Sequence, residues 1–199
     1  MRFSFLSVLC GSLAAVQAQF AVIPHQEEIA ERGLVLQYLV RTENDSFRFS
    51  PPGSWTLAAN PGEQTMVFRN ERFEAALTLR FIAGPGALRA DRIENAVLER
   101  FSGAKVIERY PCVARDAEGL CLELRFAAAD GAPYAARVGT LSYEDSQMEL
   151  TLVAPVASLP KAHAAWTAVL NSFRREAPEP KDKVVAQQQK RISAIPAGR

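Results

Sequence analysis

The sequence predicts an α+β domain, and three stretches carry that prediction. Met148 to Ala154 alternates, with Met148, Leu150, Leu152 and Ala154 on one face and Glu149, Thr151 and Val153 on the other, which is the period of a strand. At Pro155 the period changes. From Leu159 apolar residues recur at helical spacing through Ala162, Trp166, Val169, Leu170 and Phe173, so a strand feeds directly into an amphipathic helix laid across its sheet. Arg89 to Phe101 repeats the helical pattern with Ile93, Ala96, Val97 and Phe101. Between the two helices, Lys105–Val113, Leu120–Ala128 and Ala132–Tyr143 read as three strands of a meander.

The 199 residues, 48% hydrophobic, suffice for one core-bearing domain with appendages. Residues 1–18 read as a secretory signal. Arg2 gives the positive start, Phe3–Val16 the short apolar run, and Val16-Gln17-Ala18 the cleavage site after Ala18. An uncleaved anchor is the alternative, but the run is shorter than the roughly 20 residues a spanning helix needs. Val8-Leu9 before Cys10 argues against lipidation. No later segment makes a stable membrane span, so the mature chain is expected to be periplasmic or secreted. A net charge of +1 without a like-charge block argues against nucleic acid as a partner. The expected division is a signal over 1–18, a leader and first strand over 19–45, the main domain over 46–175, and a disordered tail over 176–199.

In order along the chain, the leader is given a short helix over Gln26–Glu31, broken by Gly33, and then a strand over Leu34–Arg41. After the Glu43-Asn44-Asp45 turn, Phe47–Ser50 alternates as a short strand. Pro51-Pro52-Gly53 stops it, since proline cannot donate to a ladder and glycine permits the turn. Trp55–Ala58 resumes extended structure, Asn60-Pro61-Gly62 turns the chain, and Thr65–Arg69 and Ala75–Ile82 follow as strands. Leu77, Leu79 and Phe81 share a face of the second, which ends at Gly84-Pro85-Gly86. The Arg89–Phe101 helix stops near Gly103. Asp130-Gly131 is a favoured pair for the hairpin between the last two meander strands.

Cys112 and Cys121 are the only cysteines left after signal cleavage. They flank a short turn, and export places them in an oxidising compartment. The spacing is not CxxC and no histidine lies near to complete a metal site, so a structural disulfide is expected rather than a redox or metal pair. Placing Cys112 directly opposite Cys121 sets Glu108 against Arg125, Ile107 against Phe126 and Arg109 against Leu124, with a bulge near Pro111. Leu120, Leu122, Leu124 and Phe126 then face inward, and Cys121, Glu123 and Arg125 lie on the outer face of the sheet.

No catalytic residue, cofactor or metal is expected. His25 lies in the leader and His163 on the last helix, and no GxSxG, HExxH, Walker or GxGxxG motif occurs. The acidic pairs Glu71/Glu74 and Asp116/Glu118 are no more than chance would supply among 22 acids. Phe47, Phe49 and Trp55, around Pro51-Pro52-Gly53, have two readings. Either they form a binding lip, or Phe47 and Phe49 enter the core while Trp55 covers one end of the sheet. The burial of aromatics in small cores favours the second.

Two pieces carry a resemblance: FRFSPPGSW (Phe47–Trp55) and LTLVAP…WTAVLNSF. The first looks like the F-x-h-x-x-P-x-G-W opening, where h is apolar, of the PsbP-like superfamily, which includes DcrB-like bacterial envelope proteins. The second is similar to that group's closing strand and its helix ending in h-x-x-S-F. The resemblance covers about 47–173. It implies an α/β/α sandwich, a central antiparallel sheet flanked by helices. It also implies membership of a group whose members serve as extrinsic photosystem II subunits, as chaperones for secreted effectors and as cell-envelope proteins, and are generally not enzymes. The chain is therefore expected to be an exported, non-catalytic binding or accessory module with a protein partner. A periplasmic small-ligand or lipid carrier and an envelope structural protein are the alternatives. Fold alone does not decide among them.

Overall fold

The computed structural model describes residues 20–31, 33–84, 89–144 and 146–176. The expected signal, and the expected disordered tail beyond Glu176, lie outside the described residues. Among the described residues the domain is α+β, built on antiparallel strands in two sheets with two helices.

The larger sheet holds seven strands. They are β4 (Thr56–Asn60), β5 (Thr65–Asn70), β6 (Ala75–Ala83), β7 (Lys105–Val113), β8 (Glu118–Ala127), β9 (Pro133–Ser142) and β10 (Ser146–Pro155), in the spatial order β4-β5-β6-β10-β9-β8-β7. The strand read from Met148 is thus the middle one, and every residue from Ser146 to Leu152 is buried. Its alternation sets the register. Met148, Leu150 and Leu152 pair with Phe81, Leu79 and Leu77 on one side and with Leu141, Gly139 and Arg137 on the other.

Two hairpins of this sheet turn by the same device. Asn60 and Asn70 each cap a 3-10 turn, accepting from the amides of Glu63 at 3.4 Å and Phe73 at 3.2 Å. Each turn closes on a left-handed residue, Gln64 (φ 51°) and Glu74 (φ 50°). An asparagine carboxamide mimics a backbone acceptor, so each turn is specified locally. The β8–β9 turn is local too. Gly131 takes φ 84°, and Asp130 accepts from the Ala132 amide at 2.9 Å.

The smaller sheet contains β1 (Ala21–Ile29), β2 (Gly33–Arg41), β3 (Ser46–Phe49) and β11 (Arg174–Arg175), in that order in space and along the sheet. The helix expected over Gln26–Glu31 is not formed. Those residues belong to β1 and to its turn, and β1 pairs with β2 through nine consecutive positions from Ala21↔Arg41 to Ile29↔Gly33. Cross-strand pairing within this hairpin overrides a weak local helix preference. Pro24 is accommodated because β1 is an edge strand.

The helices are α1 (Ala90–Arg100) and α2 (Leu159–Ser172). Leu159, Ala162, Ala165, Trp166 and Val169 of α2 are buried. They join the inward residues of β5, β6 and β10, together with Phe47, Phe49 and Val40 of the smaller sheet, in one core. Phe173 lies at its centre, its ring 5.3 Å from Phe47, 6.0 Å from Phe49 and 6.3 Å from Phe81. Gly139 lets α2 come this close, because a Cβ there would stand 2.7 Å from Cys112 Sγ and 3.0 Å from the Trp166 ring. Ile93 and Val97 of α1 pack instead with Leu122, Leu124, Ala136 and Val138, which alternate with the residues that meet α2.

The β7–β8 register corrects the sequence reading. Cys112 stands opposite Gly119, and Tyr110 opposite Cys121. Arg125 faces Lys105, Glu108 faces Glu123, Arg109 faces Leu122, and the bulge falls at Ile107, between Val106 and Glu108. The cause is a turn tighter than expected. The Ala114 amide bonds the Ala117 carbonyl at 2.9 Å, which places Val113 against Glu118. Nor is the cysteine face an outer one. Cys112 and Cys121 are each 1% exposed, because that face lies on the α2 core.

Candidate functional site

Two clefts flank α2. The first is built where β3 ends. Phe47 and Phe49 of the expected lip are wholly buried, so of the three residues only Trp55, half-buried against the core, is placed to meet a partner. The loop before it is fixed from the neighbouring turn. Asn70, whose Oδ1 caps Phe73, donates through Nδ2 to the Ser54 carbonyl at 3.4 Å, and Ser54 is held at φ 64°. The backbone of Ser50 is tied to α2, donating to Ser172 Oγ at 2.9 Å.

The result is a half-open cleft of about 320 Å³. Trp55 and Phe73 form its walls, Ala164, Ala165 and Ala168 its floor, and Arg72 and Lys161 its charged rim. The Arg72 guanidinium lies 5.9 Å from the centre of the Phe73 ring. No acidic residue lines this cleft. Trp55 was legible in the sequence. Arg72, Phe73 and Lys161 were not, since they arrive from a turn and a helix far away in sequence. The repeated Asn-capped turn was the one local signal that could have pointed to Phe73.

The second cleft, also about 320 Å³, opens on the other side of α2 between Tyr110, Arg137, His163 and Trp166. Arg137 is already occupied there. Its Nη2 donates to Glu123 Oε2 at 2.9 Å, its Nη1 meets His163 Nδ1, and its guanidinium lies 5.9 Å from the Tyr110 ring centre. Burial, with help from the Arg137 charge, holds the His163 pKa below its ordinary value. Burial raises the Tyr110 hydroxyl far above its usual range.

Behind Tyr110 lie the two cysteines, unbridged and buried and two positions out of direct register. Their thiols interact. The hydrogen bond between them, reinforced by burial, raises Cys112. The same bond lowers Cys121, with Arg137 adding to the effect.

The other acids noted in the sequence make no site. Glu71 and Glu74 are exposed at the ends of a 3-10 turn, and Asp116 accepts the Arg175 amide at 2.6 Å. Among the described residues no group of three or more His, Cys, Asp or Glu is placed to hold a metal. No helix among them is long and apolar enough to cross a membrane.

No protein-family model matches the sequence, and no curated protein sequence does. Solved structures do match. The solution structure of cyanobacterial PsbP (CyanoP) from Synechocystis sp. PCC 6803 superposes with a TM-score of 0.51 at 15% identity, over 75% of this chain and 98% of that one. The fold is PsbP-like. LpqN, described as involved in cell envelope biogenesis of Mycobacterium tuberculosis, shares it with a TM-score of 0.52 at 9% identity, over 78% of this chain and 92% of that one. A third structure, from Bacteroides thetaiotaomicron, overlaps at 13% identity with a TM-score of 0.47 over 66% of this chain, which spans 46% of that one.

Proposed function

We propose that the chain is an exported, non-catalytic accessory module that binds a protein partner, with its PsbP-like core in the α/β/α sandwich arrangement. The observation that carries this reading is the PsbP-like fold itself, shared over nearly the whole of CyanoP and of LpqN, the second a protein of envelope biogenesis. The Trp55 cleft supports it, being an aromatic-walled surface on capped, rigid turns. Residues 1–18 act as the cleaved signal, 19–45 supply the leader hairpin and 46–175 the main domain. Cys112 and Cys121 close into a disulfide on export. Each thiol gives up a proton and an electron, and a disulfide-donating oxidase takes both electrons.

The test is photocrosslinking in the native host, with a photoreactive residue placed in turn at Trp55, at Ile107 on the β7 edge and at Leu34 on the leader hairpin. A discrete protein adduct from at least one position, in the envelope or secreted fraction, is the expected result. Adducts from none of the three, or a protein retained in the cytoplasm, would overturn the proposal. The lipid-carrier alternative calls for a deep apolar pocket, whereas both clefts beside α2 open to solvent.

A further inference from the structure

We infer that the Trp55 cleft is a peptide-recognition site, and that it takes a partner segment in which an aromatic or branched side chain is flanked by carboxylates. The inference rests on the protein-binding reading above and assigns it a place and a chemistry. Shape comes first. The floor is Ala164, Ala165 and Ala168 of α2, side chains short enough for a guest to approach the helix closely. Trp55 and Phe73 rise on either side as apolar walls. A volume of about 320 Å³ holds one large side chain with its neighbours, and the open side leaves room for a chain to enter and leave.

Charge comes second. Arg72 and Lys161 stand at the rim with no carboxylate among the lining residues, and neither makes an ion pair among the described residues. A guanidinium and an ammonium in this setting favour a carboxylate, through an attraction that solvent reaches and salt screens. The matching cleft across α2 is the internal control. It has the same volume and its own arginine, yet Arg137 is neutralised by Glu123 and Glu108 sits on the wall. An anionic segment is drawn to the first cleft and not to the second.

Rigidity comes third. The Trp55 loop is pinned by Asn70, which caps the Phe73 turn and binds the Ser54 carbonyl, so both aromatic walls hang from one side chain. Little ordering is left to be done on binding.

The experiment follows the amide chemical shifts of the isotope-labelled protein as a blocked acidic peptide, Asp-Glu-Phe-Leu-Asp-Glu, is added. The control is the peptide with lysine at each acidic position. The acidic peptide is expected to shift Trp55, Arg72, Phe73 and Ala165, to weaken as salt is added, and to lose about tenfold in affinity with either Arg72→Glu or Lys161→Glu. Both positions are exposed, and unchanged shifts elsewhere verify the fold. Asn70→Ala is expected to weaken binding while leaving both cations in place. Equal binding of the two peptides, indifference to both charge reversals, or shifts confined to the Arg137 cleft would overturn the inference. A protein adduct from the Trp55 crosslinker combined with no acidic-peptide binding would end this inference and leave the accessory-module reading standing. Absence of adducts from all three positions ends that reading itself.

Discussion

The two helices are attached to the seven-stranded sheet by different physics. On the α2 face, apolar burial is continuous: Trp166 lies close over Gly139, Val169 and Leu150 share one core with it, and Phe173 closes against the rings of Phe47, Phe49 and Phe81. On the α1 face only Ile93 and Val97 of the helix are buried, and charge does much of the rest. Arg100 grips the nearly buried Glu149 with two bonds of 2.6 Å. Glu94 accepts two from Arg109, at 2.7 and 2.5 Å. Contacts between apolar side chains carry no charge to screen or protonate, whereas ion pairs respond to both salt and acid. The α2 face should therefore set global stability, and the α1 face should open locally and respond more to added salt.

The largest effect tests the first half of that statement. Phe173→Ala removes a fully buried ring from the meeting point of both sheets and α2, and is expected to cost about 3–5 kcal/mol, read as a lower urea midpoint with an unchanged slope. A loss under 1 kcal/mol would mean that Phe173 is not the hub of the core. The proposed disulfide comes next. Closing the Cys112–Cys121 loop is worth about 2.7 kcal/mol in the chain-entropy model, so reduction should lower the midpoint accordingly. Two titratable thiols in freshly purified native protein would remove the disulfide from the account. Gly139→Ala drives a methyl group into Cys112 Sγ and Trp166 and is expected to cost about 1–3 kcal/mol. It also tests whether α2 needs that close approach.

The α2 half of the comparison was largely legible in the sequence. The alternation from Met148 and the helical spacing from Leu159 fixed both elements, because burial on one face writes its period into the chain. Phe47 and Phe49 declared themselves as core by the same logic. The leader was misread because QEEI has no strong period, and its strand exists only by pairing with β2. The cysteine face was misplaced because the β7–β8 turn was taken as wider than it is, and because a strand pattern cannot say which of two covered faces lies under which helix. Of the four side chains that wall and rim the Trp55 cleft, one was visible. Trp55 stood in a recognisable motif, but Arg72 and Lys161 are ordinary surface cations until the fold brings them together. The ion pairs of α1 were invisible for the same reason, since Arg100 and Glu149 are 49 residues apart.

The middle-sized effect breaks the α1 half. Arg100→Ala strands Glu149 without its cation in a site where the carboxylate side chain is only 10% exposed. The expected cost is about 1–3 kcal/mol, below that of a fully buried pair because Arg100 itself is partly solvated. Replacing both partners, Arg100→Met with Glu149→Leu, should recover most of the loss, since burying the charge is itself unfavourable. Hydrogen exchange should locate the change. Amides of α1 are expected to exchange faster in Arg100→Ala while those of α2 keep their protection, and a uniform loss across both helices would show that the faces are not independent.

The smallest effect separates the faces by pH. His163, at the edge of the α2 face, is held below its ordinary value of 6.5 by burial first and then by Arg137, with Glu123 opposing. The unfolded chain therefore takes up a proton that the folded one refuses. Stability falls as pH drops from about 6.5 toward the depressed value, and His163→Gln should flatten that slope. Glu94, on α1, has the opposite charge and a later window. Its hydrogen bonds from Arg109 hold its pKa below the ordinary 4.5, so its contribution is complete above that value and is lost as pH falls through the lowered one. Added salt should shrink the Glu94 effect, a charge-assisted hydrogen bond to the exposed Arg109, and leave most of the His163 effect, which burial causes. Hydrogen exchange measured down a pH series, with and without salt, reads both at once. If α1 loosens near neutrality, or if His163→Gln leaves the slope above the carboxylate range unchanged, then charge and burial are not divided between the two faces in this way.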